Sequence, residues 1–365
     1  MIRPELAKMK GYIPLDPVDV LGKQAGKGVA GVIKLDGNEN PYGCSPRARR
    51  AIARFPYYNY YPDPEQRELR ALLASYTGVP AERIVMGAGS DELIDNILRL
   101  FVRPGDSVIN CPPTFGMYPF STEVCGGVVV GVPRKADFGV DVAAVGRAAS
   151  GARVVFIASP NNPTGNVTPR EDILALLETG LVVVVDEAYY EFSGETVAPL
   201  VGKYPNLMVL RTFSKWAGLA GLRVGYGMFP EDVAVALMKI KQPYNINAAA
   251  QAAAVASLKD LDYLQGTVKA IVKERGRLMK RLQSLKWLTP YPSEANFILC
   301  RVGPEAKAVW QYLRQNGIFI RYFDSPALRE YIRISVGKPE HTDAVIEALR
   351  EFRKAYPFKG ERMAN

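Results

Sequence analysis

Histidine is almost absent: His341 is the only one in 365 residues. That scarcity excludes H-E-x-x-H metal sites and multi-histidine metal centres, and it leaves a Ser-His-Asp site only that one residue to use. Cysteine is nearly as scarce, and Cys44, Cys111, Cys125 and Cys300 form no C-x-x-C pair. A zinc cage, a thiol redox motif and a disulfide framework are therefore not expected, and the four read as reduced thiols in or near the core. No unbroken run of about 20 apolar residues occurs. The N-terminal MIRPELAKMKGYIPLDP carries no apolar signal core, so neither secretion nor membrane spanning is supported and a cytoplasmic location is expected. The net charge is +9, from 46 Lys+Arg against 37 Asp+Glu, yet no Lys/Arg run of five or more is present. Such a field steers an anionic small molecule as well as it would steer a nucleic acid. Without a zinc-finger or RRM signature, no nucleic-acid partner is expected; Arg47, Arg49, Arg50 and Arg54 come closest, spaced along one exposed helix face. Catalysis must then rest on lysine, carboxylates, tyrosine or a cofactor.

What is present is α/β punctuation on a chain long enough for about two domains. Strand-like RIVMG, SVINC, GVVVGV, RVVFIAS, LVVVVDEA, NLMVLRTF and RVGYGMF are interrupted by helix-like DELIDNILRLFV and PREDILALLETG. Several of these runs are β-branched and nearly all apolar, which predicts a mostly parallel, helix-covered sheet. Ligand chemistry should gather at the loops that follow its strands. From about Val255 the pattern changes to a long helical stretch, LQGTVKAIVKERGRLMKRLQSL, followed by short strands in ANFILC, IFIRY and YIRISVG. The expected organisation is an irregular arm over 1–34 packing on the small domain, a large α/β domain over 35–255, and a smaller C-terminal α+β domain over 256–365.

Three stretches of the chain, 87–92, 153–186 and 211–225, carry chemistry. After RIVMG comes Gly87-Ala88-Gly89-Ser90-Asp91-Glu92, directly before an amphipathic helix. Small residues let the backbone approach a phosphate, Ser90 is placed to cap the helix, and the unpaired N–H groups of the first turn point at the anion. Glu92 stands where a dinucleotide fingerprint would have its third glycine, and no P-loop lysine follows. Alone, the segment fits a phosphate site only slightly better than a plain strand-to-helix turn. Next, RVVFIAS runs into Pro160-Asn161-Asn162-Pro163-Thr164-Gly165, and Asp186 ends the very apolar LVVVVD. An aspartate there either caps the following turn or meets a cation supplied by a ligand; burial at a strand end favours the second reading. The third segment runs from Arg211 to Gly225 and holds Lys215 among hydroxyls and small residues, with Arg223 eight positions on. A lysine in a tight, partly apolar turn has its ammonium form disfavoured, which frees the amine to attack a carbonyl. Taken singly, Lys215 reads better as a surface lysine.

Together and in this order, G-A-G-S-D-E, N-N-P-T-G, D-E-A-Y and S-K with R at +8 resemble the fold-type I pyridoxal-phosphate enzymes, specifically the class I/II aminotransferases, over essentially the whole chain. The resemblance implies the fold of that family and pyridoxal 5'-phosphate as cofactor. It implies that Lys215 carries the cofactor covalently and moves the substrate's α-proton, and that Asp186 keeps the pyridine nitrogen protonated. Asn162 and Tyr189 would hydrogen-bond the ring's phenolic oxygen, while Ser90, Asp91, Ser214 and Arg223 would hold the phosphate. Phe115 matches a position where a tyrosine commonly stacks on the ring; it keeps the apolar face and loses the hydroxyl.

Two more stretches narrow the resemblance. Asn38-Glu39-Asn40-Pro41 and Tyr60-Tyr61-Pro62-Asp63 are similar to the N-E-N-P and R-Y-P-D/E stretches of the histidinol-phosphate aminotransferase subgroup, with Tyr60 in place of the usual arginine. In that subgroup the tyrosine matching Tyr61 reaches the cofactor phosphate of a neighbouring subunit, which implies a homodimer; a tyrosine-rich turn packing an ordinary interface is the alternative. FIRYFDSPALREYIRISVG matches the subgroup's two-arginine pattern, assigning Arg333 to the substrate carboxylate and Arg321 to a distal phosphate, with Arg329 left to solvent. Asn38 and Tyr12 complete the implied substrate contacts, although Gly11 replaces the proline that usually precedes the lid tyrosine. The implied reaction is ping-pong transamination of L-histidinol phosphate with 2-oxoglutarate. An aromatic amino-acid transaminase and a threonine-phosphate decarboxylase-like lyase are the alternatives. A cofactor-sensing regulator is not expected, because no room is left before the arm for its DNA-binding domain.

Overall fold

The computed structural model describes residues 1–357. Its strands, in chain order, are β1 (Ile33–Leu35), β2 (Ile84–Ala88), β3 (Ser107–Asn110), β4 (Val128–Gly131), β5 (Ala152–Ala158) and β6 (Val182–Asp186). They continue as β7 (Leu207–Thr212), β8 (Val224–Met228), β9 (Thr289–Pro290), β10 (Phe297–Arg301), β11 (Ile318–Tyr322) and β12 (Tyr331–Ser335). Seven form a large sheet in the order β2-β8-β7-β6-β5-β3-β4, and five form a smaller one in the order β1-β11-β12-β10-β9.

The large sheet is parallel from β4 across to β7. Helices cover both faces, so β7 is buried throughout and β5 and β6 nearly so, as their unbroken apolar runs require. Only β8 is reversed, antiparallel to both β7 and β2. The connection 213–223 is too short for a parallel crossover, which takes roughly a dozen residues or more. Lys215 therefore rides on a tight return beside the ends of β6 and β7.

The arm departs from the irregular segment its sequence suggests. It contains the helices Pro4–Lys8 and Val18–Gln24, and β1 pairs in parallel with β11, Ile33 opposite Ile318. Its second half lies on the small sheet, where Lys27 Nζ donates to the Asn316 carbonyl at 2.9 Å. Its first half reaches the large body instead: the Tyr12 ring meets Phe120 edge-on, with centroids 6.4 Å apart. The arm thus bridges both bodies.

The scarce residues have structural places. His341 lies in the first turn of the helix Pro339–Ala355, where its Nδ1 accepts the Lys338 N–H at 3.3 Å. All four cysteines are free; Cys111 and Cys300 are buried and the other two half-buried. Among the described residues no helix is long and apolar enough to cross a membrane.

Candidate active site

A cavity of about 420 Å³ opens where the C-terminal ends of the large sheet's strands face the small sheet. Every site residue expected from the sequence lines it except Tyr61. A roomier surface groove of about 930 Å³, bordered by Arg47, Arg50 and Arg54, holds no buried nucleophile. Chemistry, rather than volume, identifies the smaller cavity as the site.

One wall is the turn from β2 into the helix Ser90–Phe101. Gly89, at φ 78°, is the residue before the helix, and Ser90 is its first residue without a capping hydrogen bond. Ser90 is therefore not the cap that its position suggests. The backbone decides the matter: φ 78° at Gly89 is a conformation that favours glycine, and a Cβ on Gly225 would collide with the Ser90 backbone. Ser90 and Asp91 line the cavity at the start of the helix, where first-turn N–H groups lack intrahelical acceptors. Arg223 donates to Asp91 at 2.8 Å across the same corner. Glu92 accepts the Ala88 N–H at 2.5 Å and the Asn245 amide at 2.8 Å, which accounts for a carboxylate where a dinucleotide fingerprint would need glycine.

Asp186 ends β6 with 4% of its surface exposed. Its carboxylate accepts the Tyr118 hydroxyl at 2.7 Å and the Ala188 N–H at 3.0 Å. Burial pushes its pKa up to about 6 against the lowering effect of both bonds. Among the described residues no cation pairs with it, so the acid is prepared for a positive group that a ligand brings. Tyr118 escaped the sequence reading, although it lies only three residues after Phe115. Its ring stacks on Phe156 at 4.9 Å and touches Phe115 edge-on at 5.5 Å, and burial beside Asp186 keeps its hydroxyl protonated as a donor.

Lys215 Nζ donates to the Gly37 carbonyl at 2.9 Å. Desolvation first, and then the positive charge of Arg333, push its pKa down to about 8. At pH 7 about one amine in ten is then free, about two hundred times the share of an ordinary lysine. Short labelling with an aldehyde and borohydride, read by peptide mass spectrometry, should reach half-maximum at Lys215 near pH 8; a half-maximum in the range of surface lysines, about 10.4, would contradict this.

Tyr189, Asn162 and Arg333 line the cavity together. Tyr189 is buried and its hydroxyl accepts from Asn38 Nδ2 at 2.9 Å. Asn162 Oδ1 accepts from Arg333 at 2.5 Å, and the Asp36 carbonyl takes a second Arg333 donor at 2.5 Å. Arg333, 5% exposed, keeps its Nε without a partner. Arg321 stands directly opposite it in the β11–β12 register. Burial, with Arg321 adding to it, draws the Arg333 pKa down to about 10. Arg329 is exposed. Ser214 is buried and accepts the Thr212 hydroxyl at 2.9 Å; Thr212 and Phe323 also line the cavity, and neither stood out in the sequence. Tyr61 lies outside, 81% exposed and stacked on Tyr244 with centroids 4.3 Å apart.

A buried lysine of lowered pKa, a buried acid without a cationic partner among the described residues, a helix start on a glycine turn and two facing arginines suit a ring-bearing aldehyde with an anionic group. The family profile described as aminotransferase class I and II matches residues 30–350. The chain belongs to that family. This aminotransferase is 51% identical to a histidinol-phosphate aminotransferase of Roseiflexus castenholzii, covering 96% of this chain and 98% of that one. It is 47% identical to the chloroplastic histidinol-phosphate aminotransferase of Nicotiana tabacum, covering 96% and 86%. Among solved structures, the histidinol-phosphate aminotransferase of Sinorhizobium meliloti in complex with pyridoxal-5'-phosphate superposes with a TM-score of 0.88 at 29% identity, over 96% of this chain and 97% of the other.

Proposed function

We propose that this aminotransferase holds pyridoxal 5'-phosphate on Lys215 and moves the amino group of L-histidinol phosphate to 2-oxoglutarate. The observation that carries an anionic substrate is the Arg321–Arg333 pair. Two guanidinium groups directly opposite each other on neighbouring strands repel, and the unpaired Arg333 Nε lacks an acceptor. A phosphate or carboxylate placed between them satisfies both. Histidinol phosphate carries its phosphate on the branch where an amino acid carries its α-carboxylate, so one arginine pair can serve both half-reactions. The near-full-length similarity to proteins named for that donor supports the choice.

The cofactor, when bound, supplies an electron sink for the pair left at Cα when its proton departs. Lys215 Nζ would accept and return that proton, a task suited to a pKa near 8. Asp186, held by Tyr118 and the Ala188 N–H, keeps a proton on the ring nitrogen. Tyr189 and Asn162 serve the phenolic oxygen. Ser90, Asp91, Ser214 and Arg223, with the first-turn N–H groups, hold the phosphate. Phe115 covers the ring, and Tyr12 closes the cavity over the substrate. We place the working unit in the cytoplasm as a homodimer, in which the exposed Tyr61 reaches the partner's site, and we divide each chain into an arm, 1–34, a large domain, 35–255, and a small domain, 256–365.

Tyr12, Phe115 and Phe323 give the cavity aromatic walls, which favours phenylalanine or tyrosine as the second reading. A donor panel read by the cofactor's colour change separates them. Histidinol phosphate is expected to exceed phenylalanine by about tenfold in kcat/KM, because its phosphate offers the two guanidinium groups more charge and one more acceptor oxygen than the α-carboxylate of phenylalanine does. A preference for phenylalanine would refute the donor, and release of carbon dioxide from threonine phosphate without an oxo acid would establish a lyase.

A further inference from the structure

Asn38 is held on every side. Its φ of 54° is left-handed, a conformation asparagine tolerates better than most residues. Its N–H donates to Ser335 Oγ at 3.0 Å and its carbonyl accepts the Asn296 amide at 2.8 Å. Its side chain is tied at both ends as well: Oδ1 accepts the Ser335 hydroxyl at 2.7 Å, and Nδ2 donates to the Tyr189 hydroxyl at 2.9 Å. Asn38, Ser335 and Tyr189 are all buried.

An amide can present either end to Tyr189, and the two choices have opposite consequences. With Nδ2 there, the phenol oxygen accepts and its own proton is free to point into the cavity. With Oδ1 there, the phenol would donate to Asn38 and offer the cavity only lone pairs. Ser335 decides between them. Its oxygen already accepts the Asn38 N–H, and its proton goes to Oδ1; a reversed amide would leave that proton without an acceptor among the contacts of the described residues. Ser335 lies on β12 two residues from Arg333, so both side chains emerge from the same face of the strand.

We infer that Ser335 and Asn38 are positioning residues that aim the Tyr189 hydroxyl into the cavity as a donor. Asn38 then acts through Tyr189, a different role from the substrate contact its motif implies. The inference rests on the proposed cofactor, whose phenolic oxygen is the acceptor Tyr189 would meet. A donor on that oxygen stabilises its negative charge and favours the form of the chromophore with one proton fewer. Turning the donor away raises the pH midpoint of the bound cofactor's colour change.

The test is a pH titration of absorbance in the substrate-free, cofactor-loaded protein. Ser335→Ala is expected to raise the midpoint by about one pH unit, a tenfold change in proton affinity and the scale of one hydrogen bond. Ser335→Thr keeps the hydroxyl and should restore the wild-type midpoint, and Ser335→Cys, a weaker donor of similar shape, should shift it part of the way. Tyr189→Phe should raise the midpoint at least as far, and adding Ser335→Ala to it should change nothing more. An unmoved midpoint in Ser335→Ala and Ser335→Cys, or the same shift with and without the Tyr189 hydroxyl, would overturn the inference. A wild type that takes up no coloured cofactor would overturn this inference and the proposed function together; a coloured wild type with unmoved variants overturns this inference alone.

Discussion

Alanine at position 215 is expected to lower kcat by about 10⁴-fold or more, because one amine serves as both the covalent anchor and the proton carrier. Among the described residues no second amine is placed to replace it, Lys215 being the only lysine of those that line the cavity. The substitution should leave the fold intact. It removes an ammonium group whose pKa, pushed down to about 8, shows that burial disfavours its charge, and it leaves only the Gly37 carbonyl without a donor. Melting temperature should therefore move by a few degrees at most while turnover disappears. Turnover at the wild-type rate would remove Lys215 from the mechanism. Loss of turnover with loss of the folded state would leave it with a packing role instead.

Asp186→Asn has the second largest expected effect, a fall of about 10²–10³-fold in kcat, the scale of one preorganised electrostatic contact. Asparagine keeps the shape and can still meet Tyr118 and the Ala188 N–H, but it cannot hold a proton on a ring nitrogen by charge. The same variant has a signature in the cofactor-free protein. Burial raises the folded pKa of Asp186 from 3.8 to about 6, so the folded state binds a proton more tightly than the unfolded chain does. Stability from this group is fully present below about pH 4 and is lost as pH rises through about 6. Asp186→Asn should lack that decline, giving a flatter stability profile over the interval and a more stable cofactor-free protein above it. A variant with full kcat, or a wild type whose stability rises across the interval in step with the variant, would count against the assigned charge.

Lys215, Asp186 and the Gly87–Gly89 corner stand out through the order of their motifs along the chain, although Lys215 taken singly reads better as a surface lysine and the glycines as little more than a turn. Tyr118 does not, because its meaning lies in a partner 68 residues away. Asn38 is visible as part of a motif, yet its bond to Tyr189 spans 151 residues and its bonds to Ser335 span 297. Ser90 shows the opposite failure, a good capping residue displaced by one position, because the cap falls on Gly89, whose φ of 78° favours glycine.

By itself, the order of residues determined the α/β alternation, the change of pattern near Val255 and the motif residues around the cavity, though not Tyr118, Thr212 or Phe323, since hydrophobic period, turn chemistry and motif spacing are local properties of a chain. Folding in three dimensions decided the rest. It set the reversed direction of β8, the bridging course of the arm, the facing of Arg321 against Arg333 and the line of hydrogen bonds from β12 to Tyr189. Each of these depends on which strands and loops lie side by side, and the protonation states of Lys215, Asp186 and Arg333 follow from the burial that this arrangement imposes.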